Sequence, residues 1–99
     1  MKKRFAVIGL GLFGRKVATT LSKLGAEVIA IDKNFDVIDD IKDEVMIAVQ
    51  LDGTDRASLE AQDIRSVDLA IVAMGEDFEE TLLTVVTLKQ IGVPKVISR

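Results

Sequence analysis

The run Phe5-Ala6-Val7-Ile8-Gly9-Leu10-Gly11-Leu12-Phe13-Gly14 constrains this chain more than any other stretch. A strand-length apolar segment runs straight into glycines spaced GxGxxG, and a helical pattern follows. At that spacing Gly9 permits a tight bend. Gly11 lets main chain approach a pyrophosphate with no Cβ in the way, and Gly14 lets the helix lie close on a sheet. The unpaired N–H groups and positive dipole end of that helix then face the same corner. The sequence therefore predicts a nucleotide site near its start.

The rest of the chain repeats the alternation of strand and helix. Apolar runs at Phe5–Ile8, Val28–Ile31, Met46–Val49, Leu69–Val72 and Val96–Ile97 are strand-sized, and several are near-continuous, as in parallel strands covered on both faces. Val17, Ala18, Leu21 and Leu24 recur at helical spacing, with Gly25 where a C-terminal cap sits. Phe35, Ile38 and Ile41 predict a shorter helix, with Asn34 or Asp36 near its start. Thr54 or Asp55 can cap a third helix running through Ala61. Gly75-Glu76-Asp77 opens a fourth, whose apolar positions are Phe78, Leu82, Val85, Val86 and Leu88, ending near Gly92 with Pro94 beyond. Glu76, Asp77, Glu79 and Glu80 crowd its first turn, where the macrodipole favours them; helix-end electrostatics is the plain reading of that cluster.

Short connections between β and α elements predict an α/β fold, a Rossmann-like doubly wound parallel sheet with strand order 3-2-1-4-5. A six-stranded fold of this kind would continue past Ser98-Arg99. The 99 residues are thus expected to be one nucleotide-binding lobe from a longer chain.

Composition narrows the function classes. The chain has no cysteine, so disulfides, thiol catalysis and thiolate metal sites are out. It also has no histidine, which removes the commonest general base and the commonest nitrogen ligand. No Ser-His-Asp set, catalytic carboxylate pair or tyrosine presents itself, and neither a catalytic residue nor a metal ligand is assigned. A net charge of −3 with no basic stripe makes nucleic acid a poor partner. No apolar run approaches the roughly 18 residues of a membrane span.

Asp32 closes the second strand 18 positions after Gly14, where its carboxylate can accept from both hydroxyls of an adenine ribose. A strand-end turn is the competing reading. A carboxylate here also repels a 2′-phosphate, which disfavours NADP, although the Lys33 charge next door softens that repulsion. Asp52 ends the third strand beside the adenine side of such a site; an ordinary Asp-Gly turn with Gly53 explains it equally well. Ala73-Met74-Gly75 follows the fourth strand on the same rim, where small residues let backbone meet a ribose or phosphate. Arg15 and Lys16 sit in the first turn of the phosphate-facing helix and read more simply as solvated charges. Arg99 points to the same rim. Phe13 is expected to pack on the sheet, and Met46 and Met74 to line core or pocket.

Taken together, Phe5–Gly14, Val28–Asp32, Asp52-Gly53-Thr54-Asp55, Asp68–Gly75, Leu83–Gly92 and Val96–Arg99 resemble the N-terminal lobe of RCK (or KTN, TrkA-N) domains. Those are cytosolic regulatory subunits of Trk and Ktr potassium-uptake systems and gating modules of some potassium channels. The resemblance implies that Gly9, Gly11 and Gly14 hold the phosphates, Asp32 the ribose, and Asp52 with Thr54 the adenine side. Ala73 and Gly75 would flank the ligand, and Arg99 stands where the Ktr branch has a basic residue reaching the terminal phosphates. It further implies ATP, ADP or NAD(H) as ligand, and homodimers or larger rings. An integral-membrane potassium transporter or channel is the implied partner, with the lobe held at the cytoplasmic side of the membrane through it. The pattern departs at Leu12, where the Ktr branch usually carries an arginine that helps bind the γ-phosphate.

Two functions compete on these residues. One is a regulatory domain that gates potassium transport in response to ATP/ADP or NAD(H). The other is an enzyme, the cofactor half of an NAD-dependent dehydrogenase without its substrate domain. The missing acid–base residues and the resemblance favour the regulator.

Overall fold

The chain alternates strand and helix: β1 (Arg4–Ile8), α1 (Leu12–Lys23), β2 (Glu27–Asp32), α2 (Phe35–Ile41), β3 (Ile47–Gln50), α3 (Arg56–Glu60), β4 (Leu69–Val72), α4 (Phe78–Ile91) and β5 (Val96–Ser98). The structure, a computed structural model, describes residues 2–75 and 77–99; Glu76, expected in the loop that opens the last helix, lies outside them. All five strands are parallel and ordered β3-β2-β1-β4-β5, as the sequence predicts. This is the Rossmann-like arrangement, in which the strand order reverses direction beside β1.

β1 is central because both of its faces are apolar. Val7 sits opposite Ala30 on one side and Ile71 on the other. Ala6 and Ile8 point into one core with Ile29, Ile31, Val72, Leu59 and Leu88. Val7 points into the opposite core with Leu10, Ala18, Val28, Ala30, Ile38 and Ile41. Each fully buried Ile, Leu or Val contributes about 1.5–3 kcal/mol, so these two layers hold the rim in place. Gly14 and Ala18 are the buried residues of α1; the missing Cβ of the first and the single methyl of the second let that helix lie close on the sheet.

Capping resolves the open helix starts. Asn34, not Asp36, caps α2: its side chain accepts the Asp36 N–H at 2.9 Å. Asp55 caps α3, while Thr54 turns back to Asp52. Asp77 caps α4, which stops at Gly92 with φ 113°. A 3-10 turn at Ile64–Ser66, which no sequence signal announces, buries Ile64 against the core.

Several apolar assignments need correction. On α4 the buried positions are Thr84, Thr87, Leu88 and Ile91, while Phe78, Leu82 and Val86 are exposed. The helix is apolar around most of its circumference, so periodicity alone does not single out the inner face. Thr84 is fully buried, and its hydroxyl is satisfied there by donating to the Met74 sulfur at 3.3 Å. Leu24 and Phe35 are exposed, the first just beyond its helix and the second at its helix's opening turn. Met46 precedes β3, is exposed, and lies by a shallow surface depression with Lys2 and Glu27. Phe13 is 41% exposed rather than packed into the sheet.

Candidate functional site

The carboxyl ends of the strands meet at one rim. The Gly9 N–H donates to Ile31 O at 2.8 Å, Leu51 N–H to Asp32 O at 3.1 Å, Ala73 N–H to Ile8 O at 2.7 Å, and Arg99 N–H to Val72 O at 3.0 Å. Each bond carries the parallel ladder one step past its strand, so the loops leave from a fixed base. Two depressions flank the backbone of Gly9–Gly11 and Ala73–Gly75. One, about 110 Å³, is lined by Gly9, Asp32, Lys33, Asp52, Gly53 and Met74, together with Ile8, Ile31, Leu51 and Glu80. The other, about 310 Å³, is lined by Gly11, Leu12, Phe13, Gly14, Ala73, Gly75 and Arg99. Of the residues that the sequence assigns to this site, Thr54 alone lines neither.

The glycines differ in what they do. Gly9 adopts φ 97°, and a Cβ there would strike the Ala73 carbonyl. A Cβ on Gly14 would strike the Gly9 carbonyl oxygen, so the first turn of α1 lies directly on the preceding bend. A Cβ on Gly11 would meet nothing within 4 Å: it would project into open space at the second depression. Gly53 is buried, and a Cβ would come within 2.7 Å of the Ile8 side chain.

Gly11 is also the N-cap of α1, with no side-chain cap and no acidic residue in the first turn. In α2, α3 and α4 the side chains of Asn34, Asp55 and Asp77 each accept one N–H of the opening turn, from Asp36, Ala57 and Glu80. The opening of α1 therefore keeps the unpaired donors and positive dipole end that an anion can neutralise.

Asp32 is locked in place. One carboxylate oxygen accepts the Leu10 N–H at 2.8 Å, and the other accepts the Asn34 N–H at 2.8 Å. The same side chain thus ties β2's end to the glycine turn and to α2, and each oxygen keeps a second lone pair for a hydroxyl donor. Asp52 accepts both the N–H (2.9 Å) and the hydroxyl (2.7 Å) of Thr54. Those two bonds, aided by the nearby Lys33 ammonium, hold its carboxyl below the usual carboxylate range despite a smaller opposing effect of burial. Lys33 reaches across the first depression to Glu80 at 3.3 Å; that hydrogen-bonded ion pair raises the ammonium's pKa.

Over the second depression, the Arg99 guanidinium stacks on the Phe13 ring, 4.3 Å from its centroid. Such a stack contributes about 0.5–1 kcal/mol at an exposed site. Arg15 leans the other way, toward Asp40 at 3.8 Å, and Lys16 is exposed. The rim residue that sequence reasoning assigns elsewhere is Glu80. Read as helix-end charge, it also closes one wall of the first depression, and a signal for that lies only in the pairing of β2's end with α4's start.

Residues 5–99 match the family model of the TrkA-N domain. The chain is 42% identical over 93 residues to the Ktr system potassium uptake protein C of Bacillus subtilis, covering 94% of this chain and 42% of that protein. It is 34% identical over 94 residues to Ktr system potassium uptake protein A of the same organism, covering 95% of this chain and 42% of that protein. The chain therefore spans less than half the length of these relatives. Among solved structures, the NAD(P)-binding domain of an exopolyphosphatase-related protein from Archaeoglobus fulgidus superposes with a TM-score of 0.86 at 28% identity, over 99% of this chain and 73% of that one.

Proposed function

The chain belongs to the TrkA-N domain family, and from that membership we propose that it is the nucleotide-binding lobe of a regulatory subunit for a potassium transporter. The observation that carries this reading is the uncapped opening of α1 at Gly11, beside a carboxylate fixed at the end of β2. In the proposed complex the pyrophosphate lies against the main chain at Gly9, Gly11 and Gly14. Asp32 accepts from the ribose hydroxyls, and Asp52 lies on the adenine side. Ala73, Met74 and Gly75 form the opposite wall, and Arg99 serves the distal phosphates.

The ligand is an adenine nucleotide, NAD(H) or ATP/ADP. Leu12 gives no charge to a γ-phosphate, and Arg99 is the one cation among the residues lining the second depression. We assign the lobe no catalytic step. The fold is shared with dehydrogenases, and the regulatory reading is supported by the potassium-uptake relatives rather than by the fold.

Gating follows from differential affinity. A nucleotide that binds one arrangement of paired lobes tenfold better biases it by about 1.4 kcal/mol, and several lobes in a ring multiply that bias on a membrane partner. Among the described residues no helix is long and apolar enough to cross a membrane. The lobe would act there through that partner.

The test is thermal unfolding with ATP, ADP, AMP, NAD⁺ and NADH. A ligand at 100 times its dissociation constant stabilises the fold by about 2.7 kcal/mol, a rise of several degrees in Tm. An unchanged Tm with all five overturns the nucleotide reading. The transport reading is tested by co-purifying the full-length protein with its membrane partner and measuring potassium flux with and without the bound nucleotide.

A further inference from the structure

We propose that Glu80 sets the site's choice of ribose, holding the Lys33 ammonium so that the first depression takes an adenine nucleotide with a free 2′-hydroxyl and rejects a 2′-phosphate. The inference rests on the nucleotide reading above and concerns which nucleotides the site admits.

A carboxylate at the end of β2 discriminates against a 2′-phosphate by repulsion, and a cation beside it ordinarily relaxes that discrimination. By sequence Lys33 is such a cation. In the structure it is already engaged: its ammonium donates to Glu80, 3.3 Å away on the first turn of α4. Its backbone is held as well, because the Gln50 side chain donates to the Lys33 carbonyl at 3.2 Å. The charged lining of this depression is Asp32, Lys33, Asp52 and Glu80. With the Lys33 ammonium directed to Glu80, Asp32 and Asp52 are the remaining charged groups of the lining, and both are acceptors. Hydroxyl donors satisfy such a lining, whereas a dianionic phosphate meets uncompensated like charge. To bind it, Lys33 must leave Glu80 and the phosphate must still approach a third carboxylate.

Isothermal titration of matched pairs differing only by the 2′-phosphate tests this: NAD⁺ against NADP⁺, and ADP against its 2′-phosphorylated analogue. The parent is expected to bind the unphosphorylated member at least about tenfold more tightly. Glu80→Gln frees Lys33 and narrows that ratio about two- to fivefold, the most that a solvent-exposed ion pair contributes, through tighter binding of the phosphorylated member. Adding Lys33→Met to Glu80→Gln returns the ratio to the parent value or beyond. An unchanged ratio in Glu80→Gln overturns the inference. So does a gain that survives in the double variant, since Glu80 would then act by repulsion alone. Either result leaves nucleotide binding itself standing. Loss of all binding in the parent overturns this inference together with the reading beneath it. Glu80 is exposed enough for Gln to be accommodated, and an unchanged unfolding midpoint verifies that the variant folds.

Discussion

Gly14 lies against the Gly9 carbonyl so closely that a single added Cβ would collide with that oxygen. Bend, helix and the Ala73 loop are packed main chain to main chain at this corner. We expect Gly14→Ala to lower unfolding free energy by about 1–3 kcal/mol, as overpacking does. Gly11→Ala, whose Cβ enters open space, should cost under about 1 kcal/mol yet weaken nucleotide binding. Urea unfolding of both variants checks the pair; equal stabilities would contradict the packing.

Asp32 is as much a structural tie as a proposed ribose acceptor. Asp32→Ala strips the acceptor from a half-buried Leu10 N–H and from Asn34 N–H. A loss of about 1–3 kcal/mol is expected, along with weaker binding of every ribose-containing ligand. Binding must therefore be measured well below the variant's own unfolding midpoint. Retained affinity there would remove Asp32 from the site.

Asp52 carries a pH signature. Its carboxyl is held below the usual range in the folded state, so its contribution to stability is complete above the unfolded value near about pH 4. That contribution is lost as pH falls through the lower, folded value. The parent should accordingly be more stable than Asp52→Asn at pH 6, with the gap closing below about pH 4. Denaturant midpoints at a series of pH values give the answer, and a gap that stays constant into acid would contradict the Thr54 bonds. The group is exposed, so the effect is small.

The inward face of α4 is tested by two leucines. Leu88 is fully buried and Leu82 is 51% exposed. Leu88→Ala should cost about 2–5 kcal/mol, and Leu82→Ser should stay within about 0.5 kcal/mol of the parent. A large loss in Leu82→Ser under monomeric conditions would contradict its exposed position.

The layout of the sheet is readable in the sequence because every strand is a short apolar run and every connection is short. All five strands fall within one residue of their expected bounds. The glycine turn is readable because the geometry admits no other residue at two of its three positions. Less legible are features that depend on where two elements meet. Phe78 and Leu82 look like core by composition, and only the docking of α4 on β4 and β5 shows Thr84 to be the inward residue. Phe13 looks like packing until Arg99, 86 positions later, is brought above it. The Lys33–Glu80 pair is invisible to any local pattern, since it joins the end of one strand to a helix two crossovers away.

The two apolar clusters on opposite sides of the sheet never merge; β1 is the wall they share. Damage in one compartment should accordingly stay there. A void cut beneath α2 at Ile38 and another beneath α3 at Leu59 fall in different clusters with the sheet between them, and their costs should sum with little coupling.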